Sequence, residues 1–397
     1  MRTSSGRPAN ATRWWFQLGI AALVQSLCAS RARAGDHVDY RFEFYGEENG
    51  RIQIDTHSLL FEKKITDAIA TKGEFTYDGI SGATPNGSPP IGTSTQVPLT
   101  QMEDTRYAGN LGFDCRWGRQ LLTPLVAYST ESDYESLGLS LNDAIDFNEK
   151  NTTLRVGVAH NFDRVLDLSE DARTPRAWQN KDSTEGLLGF SQLLDAKTVM
   201  TADFTFGYEQ GYLNDPYRRV LFRDWLTVIP GVPLYITHLE ARPRERTKEV
   251  FQTSLTHFFD KVNGSAEISY RFHHDSYEVN SHTVALTWHQ KLGARVIVEP
   301  MFRYYEQSAA YFYTPNGVPG LSPIDGNPNR PEFYSADYRL AHLYTLTYGV
   351  QASVKLKDWL QLDLGYHRYE MYGLDQDTAA SAFPKANIVT AGFRVWF

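Results

Sequence analysis

Eleven residues, Asn387 to Phe397, constrain the fold of this chain more than any other stretch. Phe397, Val395, Phe393, Ala391 and Val389 fall on one face of an extended strand, while Trp396, Arg394, Gly392 and Thr390 fall on the other. Side chains alternate sides along a strand, so one face is apolar and the other accepts charge. A strand of this length ending on the aromatic Phe397 has the form of the closing strand of a bacterial outer-membrane β-barrel. The terminal strand of a water-soluble sheet would also alternate, so the remainder of the chain has to decide.

The same period recurs throughout. Tyr344, Leu346, Tyr348, Val350, Ala352, Val354 and Leu356 oppose Thr345, Thr347, Gly349, Gln351, Ser353 and Lys355. Met200, Ala202, Phe204, Phe206 and Tyr208 oppose Thr201, Asp203, Thr205, Gly207 and Glu209. Apolar spacing of three to four, which a helix needs, is missing from these segments. Strands are predicted at 37–45, 51–64, 67–80, 105–116, 119–130, 134–145, 151–162, 182–194, 197–210, 244–259, 263–273, 279–290, 294–306, 339–356, 359–371 and 387–397. The expected fold is all-β: a single antiparallel transmembrane barrel of about 16 strands.

Connection lengths test this count, because outer-membrane barrels have short periplasmic turns and long outer loops. With Phe397 placed at the periplasmic end, connections 357–358, 291–293, 260–262, 195–196, 146–150, 117–118 and 65–66 are periplasmic, and all are short. The long Gly-, Pro- and Asn-rich connections 81–104, 163–181, 211–243, 307–338 and 372–386 all fall outside. The N-terminus then lies in the periplasm. One missed strand would break this parity.

At the other end, Arg2, Arg7 and Arg13 precede an apolar run from Trp14 to Leu27 and then Ala32-Arg33-Ala34. That order reads as a secretory signal peptide over 1–34, leaving the barrel as 35–397. Leu27 before Cys28 is larger than a lipoprotein processing site normally takes. Cys115 is then the one cysteine of the mature chain, so no internal disulfide and no thiolate zinc site are expected.

Composition agrees with export into a membrane that helices do not cross. Mean hydropathy is -0.42, yet aromatic residues reach 13%. Barrels hide an apolar outer face behind a polar lumen and carry aromatic girdles, which reconciles the two values. A net charge of -8 argues against nucleic-acid binding, which needs clustered Lys and Arg. The expected partners are outer-membrane lipid and the barrel-assembly machinery, the latter through the C-terminal strand.

Two segments carry a resemblance. Tyr77-Asp78-Gly79-Ile80-Ser81-Gly82-Ala83-Thr84-Pro85 and Gly211-Tyr212-Leu213-Asn214-Asp215-Pro216-Tyr217-Arg218 resemble signatures of an uncharacterised family of bacterial outer-membrane-type proteins, a domain of unknown function. Members of that family sit beside thioredoxin-like and flavin-attaching proteins, so the resemblance implies a redox protein as an alternative partner. Both segments are expected at the external mouth, beginning where an upward strand ends. There Tyr77, Asp78, Ser81, Asn214, Asp215, Pro216, Tyr217 and Arg218 would shape rigid turns or a constriction.

By alternation, Arg155, Asp203, Glu209, Glu267, Arg271, Glu299, Arg303, Lys355, Asp363 and Arg394 share the polar face. Arg or Lys facing hydrocarbon would cost roughly 2–4 kcal/mol at mid-depth, so these residues are assigned to the lumen. His273, His274, Asp275 and His282 flank one short loop, but successive strand residues face opposite sides, which argues against a shared metal site. No Gly-x-Ser-x-Gly or Cys-x-x-Cys-His motif occurs, so neither an enzyme nor a cofactor is expected. The functional expectation is a porin-like channel or transporter for small polar solutes. A barrel partnering a haem or flavin protein, and a closed barrel acting in adhesion or ligand binding, are the alternatives.

Overall fold

The computed structural model describes residues 35–167, 176–225, 233–319 and 331–397; the expected signal segment 1–34 lies outside them. The strands are β1 (His37–Glu47), β2 (Gln53–Lys64), β3 (Ile69–Pro85), β4 (Leu99–Trp117), β5 (Gln120–Thr130), β6 (Tyr134–Phe147), β7 (Thr152–Leu166), β8 (Trp178–Asp195) and β9 (Thr198–Gly211). There follow β10 (Arg219–Trp225), β11 (Pro233–Leu239), β12 (Glu245–Phe259), β13 (Gly264–Asp275), β14 (Asn280–Leu292), β15 (Val296–Gln307), β16 (Val318–Pro319), β17 (Leu343–Lys357), β18 (Leu360–Gly373) and β19 (Lys385–Trp396).

Sixteen of these close a barrel in the ring order β1-β19-β18-β17-β15-β14-β13-β12-β9-β8-β7-β6-β5-β4-β3-β2. Every barrel strand pairs antiparallel with its neighbour in the chain, apart from the strands between which β10, β11 and β16 intervene. The seam joins β1 to β19 in unbroken register from His37↔Trp396 to Glu47↔Ala386. Closure leaves no unpaired barrel edge, which is what permits a sheet to exist in a medium that cannot hydrogen-bond its backbone. Each predicted strand is present, with its ends shifted by a few residues.

The outer face is apolar. Leu139, Val158, Leu188, Phe204, Leu286 and Leu364 are among the exposed large hydrophobic residues, and all project from the wall. Seven short turns lie at one end, the turn end, where Phe397 donates its backbone N–H to the Asp36 carbonyl at 3.1 Å and packs with Val38 and Leu59. The long connections lie at the opposite, loop end.

The loop end holds most of the largest fully buried side chains, among them Tyr277, Phe222, Leu343, Val220, Asp275, Asp337 and Ser335; among the described residues, only Val38 and Asp36 of that set lie at the turn end. No strand is predicted within 211–243 or 307–338; instead β10, β11 and β16 form a small three-stranded sheet there. Its hairpin alternates too briefly between Pro216 and Pro233 to resemble a barrel strand. Val220 and Phe222 pack beneath Tyr334 and Ala336. A second cluster joins Tyr277, Val279, Ala310, Phe312 and Leu340. A third joins Tyr338, Ala341, Leu343, Ala382 and Phe383, and meets the inward-facing Tyr305 and Met371 of the wall. The loops thus build one packed cap seated within the mouth of the barrel.

Candidate functional site

The inner wall is polar because the period-two pattern puts one face of every strand there. Arg155 on β7 reaches Asp203 on β9 at 2.6 Å. Arg394 on β19 donates to Asp39 on β1 at 2.7 Å, bracing the seam. Glu209 accepts from Lys248, and Glu299 pairs with His289. Asp363 accepts from Ser353 and from Gln361 at 2.8 Å. Lys355 turns to Asp358 at 3.3 Å, beside the turn 358–359. Glu267, Arg271 and Arg303 share the inward face without an ion pair among the described residues. Beneath the cap, a cavity of about 690 Å³ runs along the inner wall of β2 to β7, lined by Thr56, Ser58, Thr76, Asp78, Arg106 and Asn161 among others.

The two signature segments meet in the cap. Arg218 donates to the Pro85 carbonyl and, at 3.2 Å, to the Thr84 hydroxyl. The Arg218 guanidinium also stands over the Tyr338 ring at 5.5 Å, and Arg51 stands over the same ring at 5.7 Å. Arg51 in turn donates to the carbonyls of Ser381 at 2.9 Å and Ala382 at 3.0 Å. Asn214 accepts from the Arg242 backbone N–H at 2.8 Å, and Asp215 accepts from that of Tyr217 at 2.9 Å, closing a tight turn. The Tyr217 hydroxyl reaches Asp133 in the β5–β6 turn.

Around this turn lies a charge cluster. Arg242 holds Glu240 at 2.6 Å and Asp337 at 2.9 Å, while Arg339 binds Asp337 through both oxygens and reaches Asp215. Glu240 also accepts from Ser335 and from the Asp215 backbone N–H. Three carboxylates (Asp215, Glu240, Asp337) thus meet three guanidiniums (Arg218, Arg242, Arg339). Burial pushes the Glu240 carboxyl up to about 7, against the opposing pull of Arg242. Burial alone would raise Asp337 too, but Arg339, Arg218 and Arg242 together hold it well below the usual carboxylate range.

Each signature contains a glycine that no other residue could replace without backbone movement. Gly82 has φ +113°, and a Cβ there would sit 2.3 Å from the Arg51 carbonyl oxygen. Gly211 has φ +110° and would meet the Asn180 carbonyl oxygen at 2.3 Å. Left-handed backbone and close approach both select glycine.

The first signature does not begin where a strand ends, since β3 runs through to Pro85 and holds all of it. Asp78 faces inward, accepting from Thr56 at 2.6 Å and from Arg106 at 3.2 Å. Tyr77 faces outward against Tyr107, with ring centroids 5.5 Å apart, and Ser81 is exposed opposite Gln53. The β3–β4 hairpin stands above the rim, where alternation of apolar residues stops and sequence reading loses the strand.

The histidines near 274–278 stay separate. His273 pairs with Asp275 at 3.2 Å, His274 with Asn280 at 2.9 Å, and His282 with Tyr270 at 2.8 Å. Sequence reasoning misses Glu240, Arg242, Asp337 and Arg339, although the dense Arg242-Pro243-Arg244-Glu245-Arg246 run signals a charge cluster.

No curated protein matches the chain. Among solved structures, a bacterial polysaccharide outer membrane secretin aligns at 10% identity and TM-score 0.47, covering 91% of this chain and 98% of that one. A loop L8 deletion mutant of OmpT, an outer membrane protein of Vibrio cholerae, aligns at 8% identity and TM-score 0.44, covering 93% and 100%. The siderophore receptor PirA from Pseudomonas aeruginosa aligns at 9% identity and TM-score 0.44, covering 91% of this chain and 62% of the receptor. The chain therefore spans less than two thirds of that receptor. Such likeness concerns the fold alone. A family model fits residues 18–382, and the chain belongs to that family, described as a protein of unknown function (DUF3570).

Proposed function

We propose that this protein is an outer-membrane channel for small polar solutes, with a folded cap restricting its external mouth. The turn end and the N-terminus face the periplasm in this reading, membrane lipid covers the apolar outer wall, and the assembly machinery engages β19. The observation that carries the proposal is the inner wall: a closed sixteen-stranded barrel whose inward charges are largely paired with opposite charges, along which a cavity of about 690 Å³ remains beneath the cap. Barrels of about 16 strands are wide enough for an aqueous passage, whereas about eight strands fill their lumen with side chains. Balanced charge suits hydrated polar solutes and gives little net preference between cations and anions along the passage as a whole.

The buried cap favours a second reading, a closed barrel whose cap presents a binding surface. Single-channel conductance in a planar bilayer separates the two. Discrete openings are expected from the mature chain, larger once residues 308–338 are deleted. Absence of conductance in both forms would remove the channel reading.

A further inference from the structure

Most arginines on the inner wall are neutralised by a carboxylate one or two strands away. Arg106, Arg116, Arg155, Arg246 and Arg394 all show such pairs. Arg271 on β13 and Arg303 on β15 do not, for among the described residues neither has a carboxylate within ion-pair distance. Their neighbours on the same face are neutral. Arg271 lies opposite Gln252 and Thr283, while Arg303 lies opposite Ala285 and Thr347. Of the carboxylates nearby, Asp275 is engaged with Arg246 and Glu299 with His289, while Glu267 lies four residues along β13, outside ion-pair distance of either arginine.

The register brings the two arginines together. Tyr305 lies opposite Thr283, and Arg303 lies opposite Ala285, on the strand between. Two strand spacings sideways and two residues along give a Cα separation of about 12 Å. Two arginine side chains leaning toward each other span that gap around a small ligand. The Tyr305 hydroxyl, which donates to Gln307 at 2.6 Å, stands beside them, and both guanidiniums act electrostatically on its phenol. Gln307 in turn donates to the Arg339 and Ala341 carbonyls at 2.9 Å, so this patch sits directly under the cap.

An arginine paired to a carboxylate braces a wall. One left facing water keeps its planar fork of donors for an oxyanion, and two such forks on strands either side of the Thr283 hydroxyl suit carboxylate or phosphate. We infer that Arg271 and Arg303, with Thr283 between them, form a subsite beneath the cap for the oxyanion group of a small carboxylated or phosphorylated solute. This rests on the reading that the lumen is water-filled, and it narrows the class of polar solute that lingers there.

Isothermal titration of inorganic phosphate, and separately of acetate, into the detergent-folded mature chain tests the subsite. Binding of one or both is expected. Each of Arg271→Gln and Arg303→Gln should weaken it about tenfold, because a lost charged hydrogen bond of about 1.4 kcal/mol changes affinity by that factor. Arg164→Gln, which removes an outward-facing charge, should leave affinity within about twofold, and heat-modifiable gel mobility confirms that each variant is folded. Absence of binding to the folded native chain, or equal binding by the Arg271→Gln/Arg303→Gln double variant, would overturn the inference. Titration does not depend on conduction. A barrel that binds but never conducts keeps the subsite and loses the channel, and one that conducts without binding does the reverse.

Discussion

Arg218, the last residue of one signature, donates to the backbone carbonyl of Pro85, the last residue of the other. The two segments lie far apart in sequence, yet a single buried guanidinium joins them. Replacing Arg218 by Ala leaves the Pro85 carbonyl short of a donor and takes a countercharge from Asp337, 3.7 Å away, within a buried cluster. Such losses cost about 3–5 kcal/mol. The cost should appear as local opening of the cap, speeding limited proteolysis within 212–244 by about a hundredfold to a few thousandfold. Heat-modifiable mobility of the barrel should stay unchanged; its loss would mean that the cap also holds the wall.

The cap should respond to pH through Glu240. Its carboxyl titrates near 7 when docked, against an ordinary value of 4.5, so the docked state binds the proton more tightly. The docked cap is therefore favoured as pH falls from 7 toward 4.5, and that stabilisation disappears as pH rises through 7. The difference is worth about 3 kcal/mol at most. Cap proteolysis should be slower at pH 5.5 than at pH 8, and Glu240→Gln should flatten the profile. The same slope in Glu240→Gln would assign the effect to another group.

Gly82→Ala and Gly211→Ala should each disturb the rim, since a Cβ would meet a carbonyl oxygen at 2.3 Å in both cases. Strain of this kind costs about 1–3 kcal/mol. Reduced refolding yield into detergent, scored by gel mobility, is the expected readout. Wild-type yield from both variants would show that the hairpins relax freely.

Sidedness is tested by cysteine labelling of intact cells in a Cys115→Ser background. Thr93→Cys, exposed in the β3–β4 connection, should react with a membrane-impermeant maleimide, and Ala196→Cys in the β8–β9 turn should not. The opposite pattern would invert the orientation.

The barrel was legible in the sequence because its physics is local. A strand with lipid on one side and water on the other must alternate, and Val350 against Gln351 or Leu364 against Asp363 records this directly. Loop length gave the parity. The cap was not legible, because its order comes from contacts between distant segments. Phe222 is buried by Tyr334 and His238, and Glu240 is held by Ser335, none of which leaves a periodic trace. Arg271 and Arg303 were readable as inward-facing, but their lack of partners was not, since pairing depends on register across strands.

The cap's order of formation follows from where its pieces come from. Arg218 and Arg242 share the β9–β12 connection, where the β10–β11 hairpin brings them together, but Pro85 and Asp337 belong to other connections, which the rolled-up wall brings within their reach. In an open chain the entropy of closing such long loops opposes their meeting, and neighbour-to-neighbour strand pairing must do that work first. The mouth is thus furnished last, after the wall has closed on itself, and every newly made barrel passes through an uncapped stage.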